Sequence, residues 1–217
     1  NNIIGKFDLV SISQVKQVFS KSKYSFIITI LPTVYQNVSM ICLSFWVNPV
    51  QLGFYYGMSR IYRAFNALYG PLGQAFFPGL SAINSQNKLQ AKSLIIKFFF
   101  GMISLGLIFL SIIFIFNKQI ITVLFGEEFL AASNTLKLFG LVLPLTAISH
   151  VFGRQWLMSR SKDSFYTLTQ FISSIIGLIV FVNIVKKVGI NAMPISLITF
   201  ELITIFMIAI FLFRKND

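Results

Sequence analysis

Arg60 and Arg63 are the residues best placed to do chemistry, and they stand inside an apolar stretch, residues 52–80, long enough to cross a membrane. A guanidinium keeps its charge, so placing one in hydrocarbon costs about 3 kcal/mol even on insertion scales. The pair must therefore face water, a partner group or an anionic ligand. A spacing of three puts both on one helix face, where their planar forks suit bidentate binding of phosphate or carboxylate. On a helix of about 100° per residue, Tyr56, Arg60, Arg63, Ala67, Gly70 and Gln74 fall within about 40° of one line. Phe54, Met58, Ile61, Phe65, Leu68, Leu72 and Phe76 fall on the opposite face. The polar face extends for about 27 Å, close to the hydrocarbon thickness, which favours a cavity wall over snorkelling from one end. Tyr55, Tyr56, Tyr62 and Tyr69 supply rings that either stack on sugars or pack. The competing reading is an ion pair with acids on other helices, for which Glu201 is the only acid within a span.

Glu201 and His150 are the other polar groups at depth. Glu201 lies mid-way along residues 191–213 and reads either as a cavity group that couples ion entry to transport, or as a packing group bonded to Thr204. His150, the sole histidine, reads as a proton relay or as one interhelical hydrogen bond. Lys97, Lys137 and Arg154 lie near span ends and are expected to reach the head groups. Cys42 is the sole cysteine and reads as a small apolar side chain. There is no phosphate-cradling glycine loop, no Cys/His metal spacing and no nucleophile–His–acid set, so catalytic residues, metal and cofactor are all expected to be absent.

The elements that hold these groups are set by composition. The chain is 56% hydrophobic with mean hydropathy +0.79, and only 11% of its residues are charged, less than half the usual share of a soluble domain. This predicts an all-α polytopic membrane protein. The net charge of +12 is then a matter of topology and anionic head groups, with no nucleic acid as partner. Six segments approach the length a bilayer needs: 25–47, 52–80, 95–116, 134–158, 164–185 and 191–213. Residues 1–24 read as a cytoplasmic amphipathic linker, in which 7–23 form an amphipathic helix on the inner surface leading into the first span, and 214–217 as a tail. Lys6, Lys16, Lys21, Lys23, Lys88, Lys92, Arg160, Lys162, Arg214 and Lys215 fall on one side of the bundle. Lys118, Lys186 and Lys187 fall on the other, with Glu127 and Glu128. The positive-inside rule then makes both termini cytoplasmic, Lys186-Lys187 being the contrary signal. Pro32, Pro71, Pro78, Pro144 and Pro194 are candidate kinks.

Several stretches also carry a resemblance: Val50-Gln-Leu-Gly-Phe-Tyr-Tyr-Gly-Met-Ser-Arg-Ile-Tyr-Arg63, Gln74-Ala-Phe-Phe-Pro-Gly-Leu-Ser81, Leu124-Phe-Gly-Glu-Glu-Phe-Leu-Ala-Ala132, and Val188-Gly-Ile-Asn-Ala192 before a helix with Glu201. In order and spacing the chain resembles the C-terminal half of a Wzx-type polysaccharide flippase, within the superfamily of multidrug, oligosaccharidyl-lipid and polysaccharide exporters. The resemblance implies one six-helix lobe of a two-lobe protein in the bacterial inner membrane, its partner an N-terminal six-helix bundle outside this chain. It implies a non-enzymatic role: moving an undecaprenyl-pyrophosphate-linked oligosaccharide, an O-antigen or capsule unit, across the bilayer by alternating access. On that reading Arg60, Arg63, Tyr56 and Gln74 contact substrate, and Glu201 and His150 are candidates for ion coupling. A lipid II flippase, an ion-coupled drug exporter and, from another class, a membrane polysaccharide polymerase or ligase are the alternatives. The drug exporter would favour acidic cavity residues, and the polymerase a large outer loop.

Overall fold

The architecture is that of a computed structural model, which describes residues 12–214; side chains are described from Phe26 onward, Thr29 excepted. The described residues are 94% helical and contain no strand. Seven helices follow one another: α1 (Ile12–Ser44), α2 (Pro49–Asn66), α3 (Tyr69–Gln86), α4 (Lys88–Phe125), α5 (Ser133–Ser149), α6 (Asp163–Val188) and α7 (Ala192–Arg214). A 3-10 turn, Glu127–Ala132, leads into α5, and a π-helical segment, His150–Leu157, continues from it.

Local sequence explains the main boundaries. Asn48 caps α2 by accepting from the Gln51 amide at 2.8 Å, and Pro49 follows in the first turn, where a missing N–H costs nothing. Asn87 likewise caps α4, accepting from Leu89 and Gln90. Gly126 ends α4 with φ of 98°, a conformation open to glycine.

The stretch 52–80 is not one straight helix. It breaks between Asn66 and Tyr69, although Ala67 and Leu68 keep right-handed helical dihedrals. The cause is Pro71. Its ring has no N–H to give the Ala67 carbonyl four residues back and crowds that carbonyl. Two other expected boundaries differ. The helix holding segment 95–116 starts earlier, at Lys88, while the expected end coincides with a kink at Phe116 (φ −103°, ψ 16°), beyond which helix resumes to Phe125. Residues 12–23, read as a separate amphipathic helix leading into the first span, are helical and continuous with it, and residues 1–11 lie outside the described residues.

By length and hydropathy, four stretches of the described residues can cross a membrane: Phe26–Ser44, Lys88–Phe125, Glu127–Leu157 and Asp163–Arg214. The last contains both α6 and α7, which pack along each other. The pair α2–α3 falls outside the four, because its exposed polar and small face lowers its hydropathy.

Helix α5 is the centre of the bundle, packed by α4, α7 and α2, while α6 joins α7 to α1. Leu136, Phe139, Val142, Leu143 and Ala147 are fully buried along it, and so is Val151 in the π-helical segment that follows. The outer surface is apolar: Phe100, Ile108 and Ile115 on α4, Ile175 and Ile179 on α6, and Phe206 on α7 are all exposed. Hydroxyls meanwhile join helices inside, Tyr35 donating to Ser196 at 2.8 Å and Thr204 to Ser173 at 2.9 Å. An apolar exterior around interhelical hydroxyl bonds is the pattern of a chain solvated by lipid.

Helix α4 comes close to the backbone of α5 at Gly106. A β-carbon there would stand 2.9 Å from Pro144 Cα and 2.9 Å from the Tyr69 hydroxyl, which itself donates to the Leu143 carbonyl. Gly106→Val is expected to cost about 1–3 kcal/mol by forcing α4 off α5. Denaturant titration of the detergent-solubilised protein measures this, and an unshifted midpoint would contradict the close approach.

Candidate functional site: a cationic cavity and a polar pocket on the α2–α3 face

The buried side of α2 is aromatic. Tyr55 and Tyr62 pack on Phe139 of α5, with ring centroids 6.0 and 5.0 Å away, and Met58 and Ile61 fill in between. Of the tyrosines that could have stacked on a ligand, Tyr55, Tyr62 and Tyr69 are therefore core residues, and Tyr56 remains exposed. The opposite side of α2–α3 is uncovered by the described bundle. Tyr56, Arg60, Arg63, Ala67 and Gln74 are exposed along it, and Gly70 is half-buried. Leu68 and Leu72, on the face read as suited to lipid or packing, are exposed as well.

Two cavities open on this face. The first, about 660 Å³, is lined by Gly53, Tyr56, Gly57, Arg60, Arg63, Phe125 and Phe129. Gly57 admits the Phe129 ring, whose Cε1 would lie 3.3 Å from a β-carbon at that position. Both guanidinium groups thus enter one open space with a phenol beside them and an aromatic wall behind. Arg63 is oriented by its own helix: Nη2 donates to Ser59 Oγ at 2.9 Å and Nε to the Ser59 carbonyl at 3.4 Å. Arg60 has no hydrogen-bonding partner among the described residues. Two fixed positive charges on one face, one held and one free, are an arrangement chemically suited to an anion.

Ser59→Ala is expected to weaken binding of an anion in this cavity by about 3–10-fold, the equivalent of one lost orienting hydrogen bond. Isothermal titration with inorganic pyrophosphate measures it, and unchanged affinity would show that Arg63 needs no such support.

The second cavity, about 250 Å³, lies beyond the bend and is lined by Gly70, Gly73, Gln74, Phe77, Pro78, His150, Arg154, Gln155 and Met158. Gln74 and His150 therefore come together here, away from the arginine pair. Arg154, expected at the head groups, lines this cavity too. Gln155 was not legible as a site residue. On an α-helix, residues 150 and 155 point about 140° apart, but in a π-helix, with its hydrogen bonds from i to i+5, they stack on one side.

Glu201 stands apart from both cavities. It is buried, and its two carboxylate oxygens accept from hydroxyls of α5: Thr146 Oγ1 at 2.9 Å and Ser149 Oγ. The arginine partner considered for it is replaced by these hydroxyls. Lys186, the contrary charge in the loop pattern, sits over the Trp46 ring at 4.5 Å, close to the C-terminal end of α6 where a cation is favoured. No group of three or more metal-ligating side chains occurs among the described residues.

No family model matches the chain, and no solved structure matches it. It is similar to a protein of Shigella dysenteriae named "Putative O-antigen transporter", 25% identical over 193 residues, or 87% of this chain and 47% of that protein. The chain thus spans about half the length of the curated relative that it matches.

Proposed function

We propose that this chain is one six-helix lobe, the C-terminal one, of a flippase that carries an undecaprenyl-pyrophosphate-linked oligosaccharide across the bacterial inner membrane. The likeness to a protein named as an O-antigen transporter supports a membrane-transporter role. The observation that carries the finer reading is the shared cavity of Arg60, Arg63 and Tyr56 on a face that the rest of the lobe leaves open. A pyrophosphate offers oxygens enough for two guanidinium forks, and the apolar outer surface lets a polyprenyl tail stay in lipid beside the lobe. The second lobe would close the opposite side of the cavity. Rocking of the two lobes would then present the head group to each leaflet in turn, with both termini of this chain in the cytoplasm. The abundance of basic over acidic groups on the open face favours this substrate over the cationic cargo of a drug exporter.

The test is reconstitution of the full-length protein into vesicles with a fluorescent undecaprenyl-pyrophosphate-linked oligosaccharide in one leaflet. Movement well above that in protein-free vesicles is expected. Movement at the protein-free rate, under proton and sodium gradients of either sign, would overturn the reading.

A further inference from the structure

The cavity beyond the bend holds unanswered hydrogen-bonding capacity. Gln155 is 3% exposed, yet its Oε1 has no partner, and His150 Nδ1 is likewise buried without one. Both residues line the same space, and both reach it because the chain from His150 to Leu157 is π-helical, a local rearrangement often found at functional sites. The floor is Gly73. A β-carbon there would overlap the Gln155 amide and the His150 ring, so the absence of a side chain at 73 is what lets both groups sit against α3. Two buried polar atoms without partners, with a bare glycine beneath them, make this a built polar site.

We infer that this pocket binds a single sugar ring, a subsite separate from the arginine cavity. The chemistry selects the ligand. Arg154 and Gln74 also line the pocket, so it offers a fixed cation with N–H donors, an amide with both donor and acceptor, and two buried atoms in want of partners: the Gln155 acceptor oxygen and a His150 ring nitrogen. A metal cation would meet the Arg154 charge. A simple anion would satisfy Arg154 but leave the Gln155 Oε1 acceptor unpaired. A polyhydroxylated ring answers all of them: its hydroxyls donate to Gln155 Oε1, accept from Arg154 and Gln74, and pair with His150 Nδ1 in either direction. Phe77 and Met158 supply apolar contact for the C–H face of the ring. At about 250 Å³ the pocket lies below the range of roughly 300–1,000 Å³ typical of drug-sized ligands, which suits one ring rather than a chain.

The inference deepens the flippase reading and rests on it only for what the ring is attached to. The test therefore has two arms. In the first, saturation-transfer NMR is recorded on the full-length protein in nanodiscs with free glucose, galactose, rhamnose and N-acetylglucosamine. At least one sugar is expected to give a signal that falls fivefold or more in Gln155→Leu and in Gly73→Ala. The second variant removes no polar group and only fills the floor, so it separates the pocket from the loss of one amide. Absence of signal for all four sugars, or equal signals in wild type and both variants, would overturn the proposal. In the second arm, undecaprenyl pyrophosphate without sugar is titrated. Its affinity is expected to be unchanged in Gln155→Leu, and a parallel loss there would assign the pocket to the carrier instead. If the carrier fails to bind the native protein while the sugar signal stands, the flippase reading falls and the sugar site survives.

Discussion

Replacing Arg60 and Arg63 together by alanine is expected to reduce transport of the lipid-linked oligosaccharide by at least about 100-fold while leaving the protein folded in the membrane. A hydrogen bond to a charged group contributes about 1.5–3 kcal/mol, so two guanidinium groups contribute about 3–6 kcal/mol, or a factor of about 10²–10⁴ in affinity. Neither side chain is part of the packed core: both are exposed, and the inner face of α2 is held by Tyr55, Met58, Ile61 and Tyr62. Stability should therefore move by no more than about 0.5 kcal/mol. The double lysine variant sharpens the point. It keeps both charges but loses the planar fork, so it should recover part of the activity and remain well below wild type. Surface polysaccharide in a strain whose own transporter has been deleted, with protein level measured in parallel, reads all three forms. Normal polysaccharide from the double alanine variant would remove the arginine cavity from the mechanism.

Glu201→Ala should produce the largest loss of stability, about 2–4 kcal/mol, from a buried side chain removed and two buried hydroxyls deprived of their acceptor. Glu201→Gln should be far milder. Its amide oxygen still accepts from Thr146, while Ser149 has a second acceptor at hand, the Thr146 carbonyl at 3.2 Å. Comparison of the two variants by denaturant titration measures the structural contribution. Transport by the folded Glu201→Gln protein then decides whether the carboxylate also carries an ion. Because its partners are two hydroxyls of α5 and neither cavity includes it, the expected result is near-normal transport.

The sequence shows which features of such a site can be read in advance and which cannot. Tyr56, Arg60 and Arg63 share a face because i, i+4 and i+7 lie together on any α-helix, and that local rule is indifferent to the rest of the fold. The same rule fails beyond Ala67. Pro71 was visible as a possible kink, but the direction of the bend depends on where α4 and the π-helical segment receive α3, and that is tertiary information. Gln155 was hidden for a related reason. Nothing in His150-Val-Phe-Gly-Arg-Gln-Trp-Leu157 marks a π-helix, so a period of 3.6 residues assigns Gln155 a different side from His150. Tyr55 and Tyr62 illustrate the limit of composition. An amphipathic ring is equally at home in a pocket or a core, and the position of Phe139 decides. The membrane class, by contrast, follows from bulk hydropathy, which no packing detail can reverse.

The bend at Pro71 has a metrical consequence. It stands between the two cavities, with Arg63 on one arm and Gly70 on the other, joined by the bonds from Ala67 N–H to the Arg63 carbonyl (2.9 Å) and from Leu68 N–H to the Phe65 carbonyl (3.3 Å). The angle at this elbow fixes the reach from the guanidinium pair to the Gln155 amide. On the proposed reading, a cargo anchored at both ends would be measured as by a pair of callipers, and its length would become a property that the protein can select. Stiffening or opening the elbow would change the gauge without altering any group that touches the cargo.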